Sequence, residues 1–254
     1  MRTLLSFVLA GGLLTATALA QRGPMGGQPP GLDPIMAKIF GSIKGFSAKA
    51  EMTMNSSRGE VTMTVVYEML AGKMRMEMDM ASMMGAQMPP EAVAQIKMMG
   101  MDRMVNIALP ETRQLYVIYP GAQSYVEMPV PQASPAADAS KESKVDYAEV
   151  GKETIDGHPC VKSKMTIDAG SGNVREGFLW TATDLKEFPL QIQIDDPRMK
   201  MTMRFKDVQL KEPDAGHFIP PADFTKYTNP QEMMQAIMQK KMSEGGMPGM
   251  TPPR

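Results

Sequence analysis

Four methionines, Met80, Met83, Met84 and Met88, fall within nine residues of one another. Thioether sulfur is a soft ligand suited to Cu(I) and the similar Ag(I), so this cluster could fold around such an ion. A second pair with chemical potential is His158 and Cys160, two residues apart, which on a strand share one face as a base and a nucleophile would. Against that reading, Pro159 lies between them and Asp156-Gly157 marks a tight turn just before, so the segment reads as the opening of a strand. The thiol is then a small buried hydrophobe, the usual state of a free cysteine. No phosphate-binding loop, zinc-type Cys/His spacing or serine-nucleophile elbow occurs, and Asp195-Asp196 read as a solvated turn. The chain is read as a non-enzyme with no cofactor.

The largest chemical signal is methionine itself, 29 of 254 residues, against 15 aromatics. Met52, Met54, Met63, Met74, Met76, Met78, Met165, Met201 and Met203 fall at alternate positions of strand-like segments. With Trp180 and Phe205 they are the candidates to line an apolar cavity. Flexible, polarizable thioethers can follow a disordered acyl chain without strict shape demands. The same pattern also fits an ordinary core. As metal ligands these strand methionines are poorly placed, because same-face neighbours stand about 6.6–7 Å apart along a strand. The chain has only two histidines, His158 and His217, both far in sequence from the 80–88 cluster.

The elements that must position these residues are mostly strands with period-two alternation. Residues 46–54, 61–69 and 73–80 alternate apolar with polar; the last reads K-M-R-M-E-M-D-M, with methionine on one face and charge on the other. Ser56 to Gly59 and Ala71-Gly72 supply turns. Further strands are expected at 103–109, 113–119, 124–128, 144–150, 161–167, 174–181, 190–194 and 199–206. Such patterning fits an antiparallel sheet with one wet face. A helix is expected from Asp33-Pro34, with Ile35, Met36, Ile39, Phe40 and Ile43 as its stripe. A short helix starts at Pro89-Pro90. Asn229, Pro230 and Glu232 open a last helix carrying Met233, Met234, Ile237 and Met238.

The N-terminus reads as an address. Arg2, an apolar run from Leu4 to Leu14 and Ala18-Leu19-Ala20 form a cleavable secretory signal over 1–20, cut between Ala20 and Gln21. The run is far shorter than the roughly 20 apolar residues that span a bilayer, and no cysteine follows it for lipid attachment. A periplasmic or secreted protein is expected, with no membrane segment after cleavage. Residues 21–32 read as a disordered lead-in, 129–143 as a flexible connection, 243–254 as a disordered tail, and 33–242 as one domain. Cys160 is the single cysteine, so no intrachain disulfide forms. The formal net charge is −1, about −2 once Arg2 is removed, with no basic run. A nucleic-acid partner is thereby excluded.

The segment Gly151 to Cys160 (GKETIDGHPC), Leu179-Trp180 followed by Asp184-Leu185 and Phe188-Pro189-Leu190, and Phe218-Ile219-Pro220 with Phe224 resemble the LolA/LolB-like superfamily of exported lipoprotein carriers. The likeness extends over most of the chain beyond the signal. It implies a mainly β fold with α (α+β): a strongly curved antiparallel sheet, a half-open β-barrel of about eleven strands, with helices covering the concave face over an apolar cavity. In characterised relatives that cavity holds acyl chains. Expected partners are therefore a lipid or other hydrophobic small molecule, and envelope proteins. Two alternatives stand beside this carrier: an extracytoplasmic Cu(I)/Ag(I)-binding protein, and a structural envelope component with no ligand.

Overall fold

A computed structural model describes residues 34–40, 43–56, 59–80, 89–129, 144–168, 174–196 and 199–244. The signal segment, its Ala20-Gln21 junction, and the lead-in, linker and tail assignments lie wholly or largely outside these residues. In chain order come α1 (Pro34–Phe40), β1 (Gly45–Ser56), β2 (Gly59–Leu70) and β3 (Lys73–Asp79). Next are α2 (Pro90–Met98), β4 (Arg103–Leu109), β5 (Gln114–Tyr119), β6 (Ser124–Pro129), β7 (Lys144–Ile155), β8 (His158–Asp168) and β9 (Val174–Ala182). β10 (Phe188–Asp196), β11 (Met199–Gln209), β12 (Thr225–Tyr227) and α3 (Pro230–Ser243) complete the series.

Among the described residues twelve strands join one curved, unclosed sheet in the order β12-β6-β5-β4-β3-β2-β1-β11-β10-β9-β8-β7. It consists of two antiparallel meanders, β1 to β6 and β7 to β11, set side by side through β1 and β11. The count exceeds the eleven expected by β12, three residues pairing parallel with β6. Three residues are too few for alternation to register in a sequence.

Local chemistry explains the hairpins. Ala71-Gly72 (φ 47° and 81°) and Asp156-Gly157 (φ 49° and 87°) place both central residues in the left-handed region. That is the type I′ geometry whose twist matches the flanking strands, and glycine relieves it at the second position. Bulges interrupt the ladders between Glu149 and Gly151, between Pro189 and Gln191, and in β11 at Asp207 (φ 53°) opposite Ser47–Lys49. Each bulge bends its strand and adds twist.

One face carries the core. Five rings meet near its middle: Phe40 stacks on Phe46 at 4.9 Å, while Phe188 and Tyr67 meet Phe205 edge-on at 5.5 and 5.6 Å. α1 thus contributes its last residue to the ring cluster and packs chiefly against β10. α3 packs against β6 and β12, burying Met233 and Ile237 beside Val126 and Met101. Its start follows the sequence: Asn229 Oδ1 accepts the Glu232 N–H at 2.7 Å, a side-chain N-cap. Among the described contacts, the helices reach this face at the ring cluster and the β6 margin.

The opposite face is only partly wet, contrary to the alternation reading. Over β2 and β3 it is a charged ladder, with Arg75 bound to Glu77 at 2.8 Å and Arg103 also on Glu77. Over β4 and β5 it is apolar: Val105, Ile107 and Ile118 bury Phe218, with Tyr116, Tyr125 and Phe224 around them. The segment between β11 and β12 therefore crosses this outer face, and His217 Nδ1 lies 3.1 Å from the Glu68 carboxylate on the way.

Candidate functional site

The methionine face is assembled by register. Met203 pairs with Met52 and Met52 with Met63; Met201 pairs with Met54 and Met54 with Val61. On the other flank Met69 pairs with Met74, Tyr67 with Met76 and Val65 with Met78. On the second meander, Ile192 and Ile194 of β10 extend this face through their pairing with Met203 and Met201. Directly opposed side chains on one face have Cβ atoms about 4.5–5.5 Å apart. The result is a continuous thioether and aliphatic surface across β10, β11, β1, β2 and β3, with Gly177 of β9 a bare spot opposite Met165 and Ile194.

Of the residues singled out in the sequence, Met52, Met63, Met74, Met76, Met165, Met201, Met203 and Phe205 are buried together in this one cluster. Met54 and Met78 are half-buried against it. Tyr67 sits among them, 2 % exposed, its hydroxyl donating to Met52 Sδ at 3.9 Å. Burial pushes the Tyr67 phenol well above its ordinary range, so it stays neutral at any physiological pH.

Trp180 is buried in the same cluster, 4 % exposed, but its register sets it apart from the methionines. Its partners across the ladder are Gln191 and Lys162, and Gln191 in turn faces Arg204, so it lies on the face opposite the methionines. There its Nε1 donates to Glu153 at 2.8 Å, and the Lys162 ammonium sits 4.9 Å from its ring centroid. The strand sequence V-R-E-G-F-L-W-T-A has large apolar residues at both parities, which is why alternation misplaces it. Of the four candidate copper ligands, Met80 is half-buried at the end of β3, its N–H donating to Asp102 O at 2.7 Å. Met83, Met84 and Met88 lie outside the described residues. Among the described residues, no three His, Cys, Asp or Glu side chains gather as a metal site.

Sequence reasoning missed several residues on the same face: Asn106, Ala108, Leu115, Val117, Val126 and Met128. β4 is buried on both faces through Val105, Asn106, Ile107 and Ala108, so no alternation marks which parity faces the methionines.

His158 and Cys160 do not form a working pair. His158 Nδ1 lies 2.8 Å from Asp184, and the Cys160 thiol donates to the His158 carbonyl oxygen at 3.4 Å. Burial, with the Asp184, Asp156 and Glu153 carboxylates nearby, raises the thiol's pKa, which suppresses the reactive thiolate. Iodoacetamide at pH 8 is therefore expected to leave Cys160 unmodified for hours in the native protein and to label it within minutes in 8 M urea. Rapid native labelling would show an accessible thiolate instead.

Fold and face together define a one-sheet β protein with a thioether-lined inner surface. The chain belongs to the family described as "Domain of unknown function (DUF4412)", whose model matches residues 48–188. No curated protein matches it in sequence. Among solved structures it is similar to the lipoprotein LppX of Mycobacterium tuberculosis, at 11 % identity over 71 % of this chain and 96 % of that one, with a TM-score of 0.39. It is similar also to a LolA superfamily protein from Nitrosomonas europaea, at 10 % identity, 74 % and 96 % coverage and a TM-score of 0.34. LprF from Mycobacterium bovis follows at 15 % identity, 73 % and 97 % coverage and 0.35. No described helix is long and apolar enough to cross a membrane.

Proposed function

We propose that the protein works outside the cytoplasm, where it takes up a lipid or acyl chain on the methionine-rich face and carries it through water. The observation behind this reading is the in-register thioether and aliphatic surface running from β10 through β11, β1 and β2 to β3. Burying a methylene is worth about 0.8 kcal/mol, so a chain that buries ten gains roughly 8 kcal/mol before ordering costs. Such a site needs pliable apolar contact more than polar recognition, and unbranched thioethers supply it. α1 and α3, each held to the sheet by a few buried side chains, are the elements whose shift would open the face.

The test is a titration with N-phenyl-1-naphthylamine, whose fluorescence rises in apolar surroundings. The reading requires saturable binding that palmitate reverses. A merely linear rise, with palmitate inert, contradicts it. Tight Cu(I) binding that disappears when Met80, Met83, Met84 and Met88 are replaced together would favour the metal alternative.

A further inference from the structure

Across the first meander one row of side chains crosses the inner face: Tyr67, Met76, Asn106, Val117 and Val126, each opposite the next. Asn106 stands in the middle of this row, 8 % exposed, with Met104 and Ala108 as its same-face neighbours along β4. None of these neighbours offers its amide a hydrogen-bonding side chain. The other buried polar side chains of the face are engaged: the Tyr67 hydroxyl donates to Met52 Sδ, and the Ser124 hydroxyl to Ala122 O at 3.0 Å. Among the described residues, no hydrogen bond involves the Asn106 side chain. Yet no fully enclosed side-chain polar atom lacks a partner, so this amide opens onto space that a small molecule's atoms can reach.

With apolar neighbours around it, this amide has no protein partner and is hydrated only through that opening, so a ligand head arriving there must supply a hydrogen bond in place of water. We propose that Asn106 is the polar anchor of the binding face. Its N–H donates to a carbonyl oxygen on the head of an amphipathic ligand, an ester or a carboxyl group, while the hydrocarbon lies along the methionines. This rests on the carrier reading and sharpens it: the ligand class becomes acyl compounds with a carbonyl at one end, as distinct from plain hydrocarbons. An amide suits both heads, since it donates without carrying charge.

Undecane, methyl decanoate and decanoate, matched in chain length, are titrated as competitors of bound N-phenyl-1-naphthylamine. The parent protein is expected to bind a carbonyl-bearing ligand about tenfold more tightly than undecane, the worth of one buried hydrogen bond. Asn106→Leu, close to isosteric and apolar, is expected to erase that preference, leave undecane unchanged, and melt at or above the parent temperature. Asn106→Ala is measured beside it, so that a packing fault of leucine is not mistaken for the loss of the amide. A preference for methyl decanoate points to an ester head, and one for decanoate alone to a free acid. A tenfold preference that survives in both variants overturns the assignment of Asn106 and leaves the carrier reading standing. Failure of all three competitors on the parent protein overturns both.

Discussion

Replacing Phe205 by alanine is expected to cost about 3–5 kcal/mol of folding stability, the range for deleting a buried aromatic ring. Phe205 is fully buried in β11 and meets the rings of Phe40, Phe46, Tyr67 and Phe188 at 5.5–6.2 Å. It also lies at the seam between the two meanders, opposite Ala50 of β1. Loss of the ring therefore opens a void that the stiff sheet cannot collapse around, and it loosens α1 through Phe40. A domain of this kind holds about 5–15 kcal/mol in all, so the variant should lose roughly a fifth or more of its stability. Urea unfolding checks this directly. A loss under about 1.5 kcal/mol would mean that the ring cluster repacks freely and is not the keystone of the seam.

Gly177→Ala should cost about 1–3 kcal/mol, the penalty of forcing extra volume into a packed interior. Alanine in a strand ordinarily gains 0.5–1 kcal/mol over glycine, so the sign itself is diagnostic. The cause is local: a Cβ on Gly177 would stand 2.1 Å from the Gln193 carbonyl oxygen of β10. β9 and β10 must part to admit it, which stretches the ladder around Ile194. Hydrogen exchange should quicken at Gly177 and its β10 partners while the β1–β2 ladder keeps its protection. A neutral or stabilised variant would show that this bare spot between Met165 and Ile194 has room to spare.

These two residues also show what the sequence made legible. K-M-R-M-E-M-D-M and the alternation of β1, β2 and β11 placed the methionines on one face, because a half-buried antiparallel strand imposes a period of two. Ala71-Gly72 and Asp156-Gly157 declared their hairpins through glycine at a left-handed position. Gly177 gave no such sign, since its requirement is space and not backbone angle. Trp180 and Asn106 were misplaced or missed where strands carry apolar residues at both parities, as in β9 and β4. There the face is decided by partners far off in sequence: Lys162 and Gln191 for the tryptophan, Met76 and Val117 for the asparagine. The strap through Phe218 over the outer face was invisible for the same reason, and β12 because three residues show no alternation.

The central claim, that the methionine face carries an acyl ligand, is tested most directly by native mass spectrometry of the protein isolated from the cells that make it. The account predicts one population heavier than the polypeptide by the mass of a single acyl-bearing molecule, released by organic solvent and recoverable as lipid. A bare polypeptide mass that stays bare after incubation with fatty acid, or an adduct of copper alone, would contradict it.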